Sequence, residues 1–335
     1  DSARYICLTV PADSAYIIKR IVDATQAMFN VKNGGTLEII ASAGSQLILD
    51  GGAIWSDPAG PAGGASNSGV TSNQALVYVA TGFYETKFIL GPNVILRNND
   101  RKTTPGDYHN GGAIEVRGSF VMNGGLITSN RTSGNGGAVF LHNNNKDARI
   151  TGGAITGNDA GLSGGGIMLG YSTGISKLIM TGGLISENRA NGKISGFVSS
   201  SLGGYGGGIF IPGVDTTSST NSFQMTGGTI QNNISASGKG NGIVVDLNNT
   251  GGAAPVFSIG GTASLVGNDV LLHVDPSRPA PKITVNGPFN PSTAVLVTLD
   301  NYGLLPTEVL AGSFGPYLSR FTAAPYNIDS SGRIY

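Results

Sequence analysis

LIMTGGLISEN, residues 178–188, holds no side chain that looks like a catalyst, yet the chain writes it again and again with small changes. FVMNGGLITSN (120–130), ARITGGAITGN (148–158) and FQMTGGTIQNN (223–233) share its Gly-Gly pair, its isoleucine and its closing asparagine. Looser copies lie on both sides: LILDGGAIWSD (47–57), FILGPNVILRN (88–98) and FSIGGTASLVGN (257–268), the last one residue longer. A second Gly-rich run follows in the intervals: NGGAIEVR from Asn110, NGGAVFLH from Asn135, GGGIMLG from Gly164, GGGIFIP from Gly206 and GNGIVVD from Gly240. Gly124, Gly152 and Gly182 are 28 and 30 residues apart, the length of one supersecondary unit per repeat.

Within a unit the apolar residues alternate: Phe120 and Met122, then Ile127, then Val139 and Leu141. That is the period of a strand, and Gly-Gly and Asn between the runs are turn residues. A helix would need apolar spacings of three and four and far fewer glycines. Three short strands joined by tight corners make one coil, and coils stacked about 4.8 Å apart give a parallel β-helix around a column of Phe, Met, Ile and Leu. The expected fold is therefore all-β, a right-handed single-stranded parallel β-helix with capped ends. It forms one solenoid domain: an N-terminal cap and irregular coils over 1–87, regular coils over 88–274, and C-terminal coils with a cap over 275–335. DSAYIIKRIVDA (13–24) reads as strand, although a short capping helix is the alternative there.

Composition agrees and excludes other classes. Glycine supplies 54 of 335 residues without the three-residue period of collagen, and 39% hydrophobic residues in alternating runs are too many for a disordered chain. Twenty basic and twenty acidic residues cancel, which leaves no electrostatic footprint for nucleic acid or an anionic membrane. No apolar run approaches the roughly 20 residues of a membrane span, and the first residues lack a signal-peptide layout, as expected of a mature exported chain. The single cysteine, Cys7, is expected as a buried strand thiol.

The repeated GGA[ILV] at 51–54, 111–114, 136–139 and 152–155, with FxxN at 120–123, resembles the repeats of chlamydial polymorphic outer membrane proteins. The alternation of GGxIxxN with GGGIxI is similar to adhesin-like repeat proteins on the surface of host-associated bacteria. The resemblance implies a secreted or surface-displayed β-helix that binds a host or bacterial glycan or protein. It specifies fold more than activity.

Stacking equal corners turns Asn98, Asn130, Asn158, Asn188 and Asn233 into an expected ladder of side-chain amides, structural rather than ligand-binding. The next residues, Arg131, Asp159 and Arg189, should stack as an alternating, solvated charge ladder. A β-helix enzyme acting on polysaccharides needs clustered carboxylates with a base or a Ca²⁺ site, and the acids here are scattered about one per coil. His109, His142 and His273 share no metal-ligand spacing, and GGYGGG (203–208) lacks both the aspartate of a Ca²⁺-binding repeat and the lysine of a phosphate loop. No metal and no cofactor is expected. On the second run, Glu115, Phe140, Met168, Phe210 and Val244 fall between inward positions and so point outward. Phe140, Met168 and Phe210, beside Arg117 and His142, are the candidate ligand-binding stripe, unless the insertions at 55–73, 191–204 and 212–222 cover them. Trp55 takes an outward slot before the first insertion and is a further candidate for stacking on sugar. The expected function is a non-catalytic binding or stalk module; a polysaccharide lyase or hydrolase with an unrecognised site is the alternative.

Overall fold

The computed structural model describes residues 5–21, 26–55, 66–69, 72–81, 85–101, 109–142, 147–170, 175–192, 204–214, 220–246, 253–273, 280–300 and 307–335. Almost all regular structure in them is parallel strand, arranged as a parallel β-helix. One coil runs along a first face (Ser119–Met122), turns at Gly-Gly, and continues along a second face (Leu126–Thr128). It then turns at an asparagine into a two-residue strand (Arg131–Thr132) and crosses a third face (Val139–Leu141). Successive coils repeat the circuit. The third face is a ten-stranded sheet and the two-residue strands form a five-stranded one. The first two faces merge into a sixteen-stranded sheet, because Lys177–Ser186 and Ser222–Gln231 run unbroken through their Gly-Gly corners.

The Gly-Gly pair has two separate physical reasons. The first glycine lies where coils nearly touch: a Cβ on Gly182 would sit 2.3 Å from the carbonyl oxygen of Thr151, one coil away. The second, Gly183, has φ +87°, the left-handed region that side chains avoid. With the corner closed this way, Phe120, Met122, Ile127, Ile150, Ile155, Met180, Ile185, Met225 and Ile230 all lie in the buried core. Rings stack along the column, with Phe88 on Phe120 at 6.1 Å and Phe223 on Phe257 at 5.4 Å.

The asparagine corner carries a continuous amide ladder. Oδ1 of Asn158 accepts from the backbone N–H and the side-chain amide of Asn130, both at 3.0 Å. Asn188 does the same for Asn158, Asn233 for Asn188 and Asn268 for Asn233. Each side-chain amide also donates to a backbone carbonyl, as Asn158 does to Ile127 and Thr156. Two positions differ from expectation. Asn98 lies outside the ladder, with φ +55° and its amide on Asp50, and Asn99 takes the slot with its N–H on Oδ1 of Asn130. The cause is one extra residue at the GPNV corner: Phe88 pairs with Phe120, but Leu96 pairs with Ile127. Asn268 joins the ladder because the longer last copy absorbs its own extra residue.

The copy at 47–57 also shifts. Leu47 pairs with Val94, so Gln46–Asp50 belongs to the second face, and the first-face strand of that coil is Thr36–Ala41. DGGAI therefore marks the asparagine-side corner, where a Cβ on Gly51 would meet the backbone of Asn99.

The two ends contrast. Gly315–Arg320, a 3₁₀ helix, and the antiparallel pair of Thr307–Glu308 with Arg333–Ile334 close the C-terminal coils, where Phe314, Tyr317 and Leu318 pack on the core. The first residues form coil rather than cap: Tyr5–Val10 and Ala15–Lys19 pair in register with 36–41 and 46–50. Ile6, Tyr16 and Ile18 lie over the inward Leu37, Leu47 and Leu49 yet are 61%, 54% and 40% exposed, since no described coil lies beyond them. Cys7, between inward neighbours, is exposed on this strand rather than buried.

Asn158→Ala removes two acceptor contacts and three donor contacts in the buried ladder. Chemical denaturation should show a loss on the order of 3 kcal/mol, since unmade buried hydrogen bonds cost about 1–3 kcal/mol each. Asn98→Ala, off the ladder, should cost much less.

Candidate functional site

The outward stripe of the third face is in register, Glu115 beside Phe140, Phe140 beside Met168, Met168 beside Phe210, and Phe210 beside Val244. It is not an accessible surface. Phe140, Met168, Phe210, Val244 and Leu271 form a second buried cluster, none more than 3% exposed, with Tyr205 packed against it. The cover is the protein's own Gly-rich turns. Gly164, at φ +67°, lies against the outside of the strand it introduces, and a Cβ there would come within 2.9 Å of the Met168 Cβ. Gly206 stands in the same relation to Phe210. Phe140, Met168 and Phe210 are thus core residues of an outer layer. The glycines ahead of each third-face strand, counted in the sequence as corners, are what buries them.

Trp55 ends the strand Ala53–Trp55, which pairs antiparallel with Ser66–Gly69 in a hairpin leaving the coil. Its side chain, like most of the insertions at 55–73 and 191–204, lies outside the described residues.

Arg117 and His142 do come together, on Glu115. The imidazole donates from Nε2 to Glu115 Oε1 at 2.7 Å, and Arg117 stands 3.7 Å from the same oxygen. Arg101, almost fully buried, donates to Oε2 at 2.8 Å and also to the carbonyls of Asn73 and Gly111. Burial alone would raise the Glu115 pKa, but the hydrogen bonds from His142 and Arg101 outweigh it and hold the carboxyl at about 2. A carboxylate so tightly held ties the 110–111 turn to the third face. It is no proton donor at neutral pH.

The charge ladder is longer and drier than expected. Asp100, Arg131, Asp159 and Arg189 pair in register on four coils, and both aspartates are buried. The reason is again a close glycine: a Cβ on Gly137 would lie 2.7 Å from the Asp159 backbone, so the turn covers the strand. Burial pushes the Asp159 carboxyl up to about 7, against the pull of Arg131 and Arg189 and a hydrogen bond from Asn191.

A third group gathers around His273, which the sequence offered only as a histidine without metal-ligand spacing. Asp246, His273 and Asp300 end third-face strands on three consecutive coils, one beside the next. Each follows an inward residue, Val245, Leu272 or Leu299, and so points outward. His273 Nδ1 lies 3.0 Å from Asp300 Oδ2 and 3.8 Å from Asp246 Oδ1, and Lys239 reaches within 3.5 Å of Asp300 Oδ1. Burial, with Asp300 adding to it and Lys239 opposing, raises the Tyr205 phenol. VVD, LLH and TLD recur at intervals of 27 residues, a signal that carries no meaning until the third-face register is known. The carbonyl of His109 accepts from Thr132 and Gly134. Among the described residues no group of three or more His, Cys, Asp or Glu side chains is placed to hold a metal ion. No helix there is long and apolar enough to cross a membrane.

No family model, no curated protein and no solved structure matches this chain.

Phe210→Ser should lower stability by about 3–5 kcal/mol, the cost of emptying a packed aromatic site, as read from the denaturation midpoint. For Asp159 the folded-state pKa lies above the ordinary 3.8. Its contribution is therefore fully present below about pH 4 and is lost as the pH rises to about 7. The melting temperature of the wild type should fall across that window relative to Asp159→Asn, which carries no such proton. Parallel pH profiles of the two proteins would contradict the assignment.

Proposed function

We propose that this chain is a non-catalytic, secreted or surface-displayed β-helix that serves as an adhesin-like binding or stalk module. The observation that carries the reading is the unbroken buried ladder from Asn99 to Asn268, which ties six coils into one stiff body. The sealed outer stripe adds a second layer to it. Such a body suits holding a recognition surface at a distance. The repeat pattern, similar to bacterial surface adhesins, supports the location and the partner class, a host or bacterial surface glycan or protein. The electroneutral composition speaks against nucleic acid.

One observation favours the alternative of a polysaccharide-active enzyme: two carboxylates, Asp246 and Asp300, meet at His273. Carboxylate pairs are the machinery of glycoside hydrolysis. Here, however, the imidazole and Lys239 occupy the space between and beside them. The purified chain should release no product from acidic or neutral polysaccharides, with or without Ca²⁺, and should attach to cells or to an immobilised glycan panel. Reproducible cleavage abolished by Asp300→Asn would replace the binding reading with the enzyme.

A further inference from the structure

On the third-face strand Val295–Leu299, which the final strand Phe321–Thr322 follows in the sheet, the residues alternate: Val295, Val297 and Leu299 enter the core, while Leu296, Thr298 and Asp300 face out. A shallow groove of about 360 Å³ lies over this outward row, lined by Leu296, Thr298, Lys239 and Asn241 among others. Leu296, 37% exposed, is an apolar floor. Lys239, from the turn two coils back, lines the groove and reaches within 3.5 Å of Asp300, so it joins the groove to the Asp300, His273 and Asp246 chain.

We propose that this groove and the charged chain at its end form a binding site for a neutral saccharide. The assignment deepens the binding-module reading and rests on it. The chemistry selects the class. A pyranose presents an apolar C–H face beside hydroxyls that both donate and accept. Leu296 suits the former, while the Asp300 carboxylate as acceptor, the Lys239 ammonium as donor and the Thr298 hydroxyl as either suit the latter. Three carboxylates, Asp246, Asp269 and Asp300, stand against one lysine and one histidine, so the site is net negative and repels uronates, sulfated sugars and phosphates. The ion pair of Lys239 with Asp300 holds donor and acceptor 3.5 Å apart. That separation lets neighbouring hydroxyls of one sugar ring bridge the two. Tyr205, packed on the outer stripe and sensing Asp300, Lys239 and Asp246, stands behind the same site.

Calorimetric titration of the whole chain with mannan-, galactan- and glucan-derived oligosaccharides, and with polygalacturonate oligosaccharides as the acidic arm, tests the assignment. At least one neutral series should bind and the acidic series should not. Lys239→Met and Asp300→Asn should each weaken that binding tenfold or more with the melting temperature unchanged, and Arg149→Ala, on the first face, should leave it alone. If a variant loses thermal stability, Thr298→Val, which keeps the shape and removes one hydroxyl, supplies the same readout. Equal binding of acidic and neutral sugars, or wild-type affinity in Lys239→Met and Asp300→Asn, overturns the site while leaving the binding module intact. Attachment to cells with no titratable neutral sugar also overturns it, whereas absence of any attachment at all defeats the module reading itself.

Discussion

Each coil of this protein lies on the next at the spacing of a parallel β-ladder, about 4.8 Å, so every side chain meets its own equivalent one coil away. Apolar groups tolerate this well: Phe88 stacks on Phe120, and Phe223 on Phe257. Amides do too, because a carboxamide both donates and accepts, so each asparagine can serve the one before it and be served by the one after. Charges cannot stack like on like. Where they occupy one register position they alternate in kind, as in Asp100, Arg131, Asp159 and Arg189, and again in Asp246, His273 and Asp300. The translational repeat thus decides which residue types each corner accepts.

The same constraint explains why the glycines outnumber what corners alone need. A turn that packs on the backbone of the neighbouring coil has no room for a Cβ, and the turns before the third face pack twice over. Gly137 lies on Asp159 of the next coil, while Gly164 and Gly206 fold back over Met168 and Phe210. Those contacts convert an outward row into a second core and remove Phe140, Met168 and Phe210 from any direct role in recognition. Toward the C-terminal end of that face Leu296, Thr298 and Asp300 still stand outward.

The fold was legible because alternation and the Gly-Gly, Asn punctuation are local signals, and the inward set from Phe120 to Ile230 lies in the core as the alternation requires. Register was legible only where coils keep equal length. One extra residue in GPNV moved the ladder from Asn98 to Asn99, and DGGAI looked like a first-face corner while serving another. Burial of the outer stripe was not legible, because it depends on where a turn folds in space, and a glycine carries no letter that distinguishes covering from turning. The Asp246, His273 and Asp300 stack was written at a constant interval, but only knowledge of the third-face register gives that interval meaning.

The asparagine ladder is also electrically polar. In Asn158, Asn188 and Asn233 the side-chain oxygen accepts from the earlier coil and the nitrogen donates to the later one, so the amide dipoles add along the solenoid as peptide dipoles add along an α-helix. The negative pole falls on Oδ1 of Asn99, and a cation sits there: the Arg20 guanidinium donates to it at 2.7 Å from a site only 6% exposed. The stack of neutral side chains therefore ends on a buried charge of the sign its field favours.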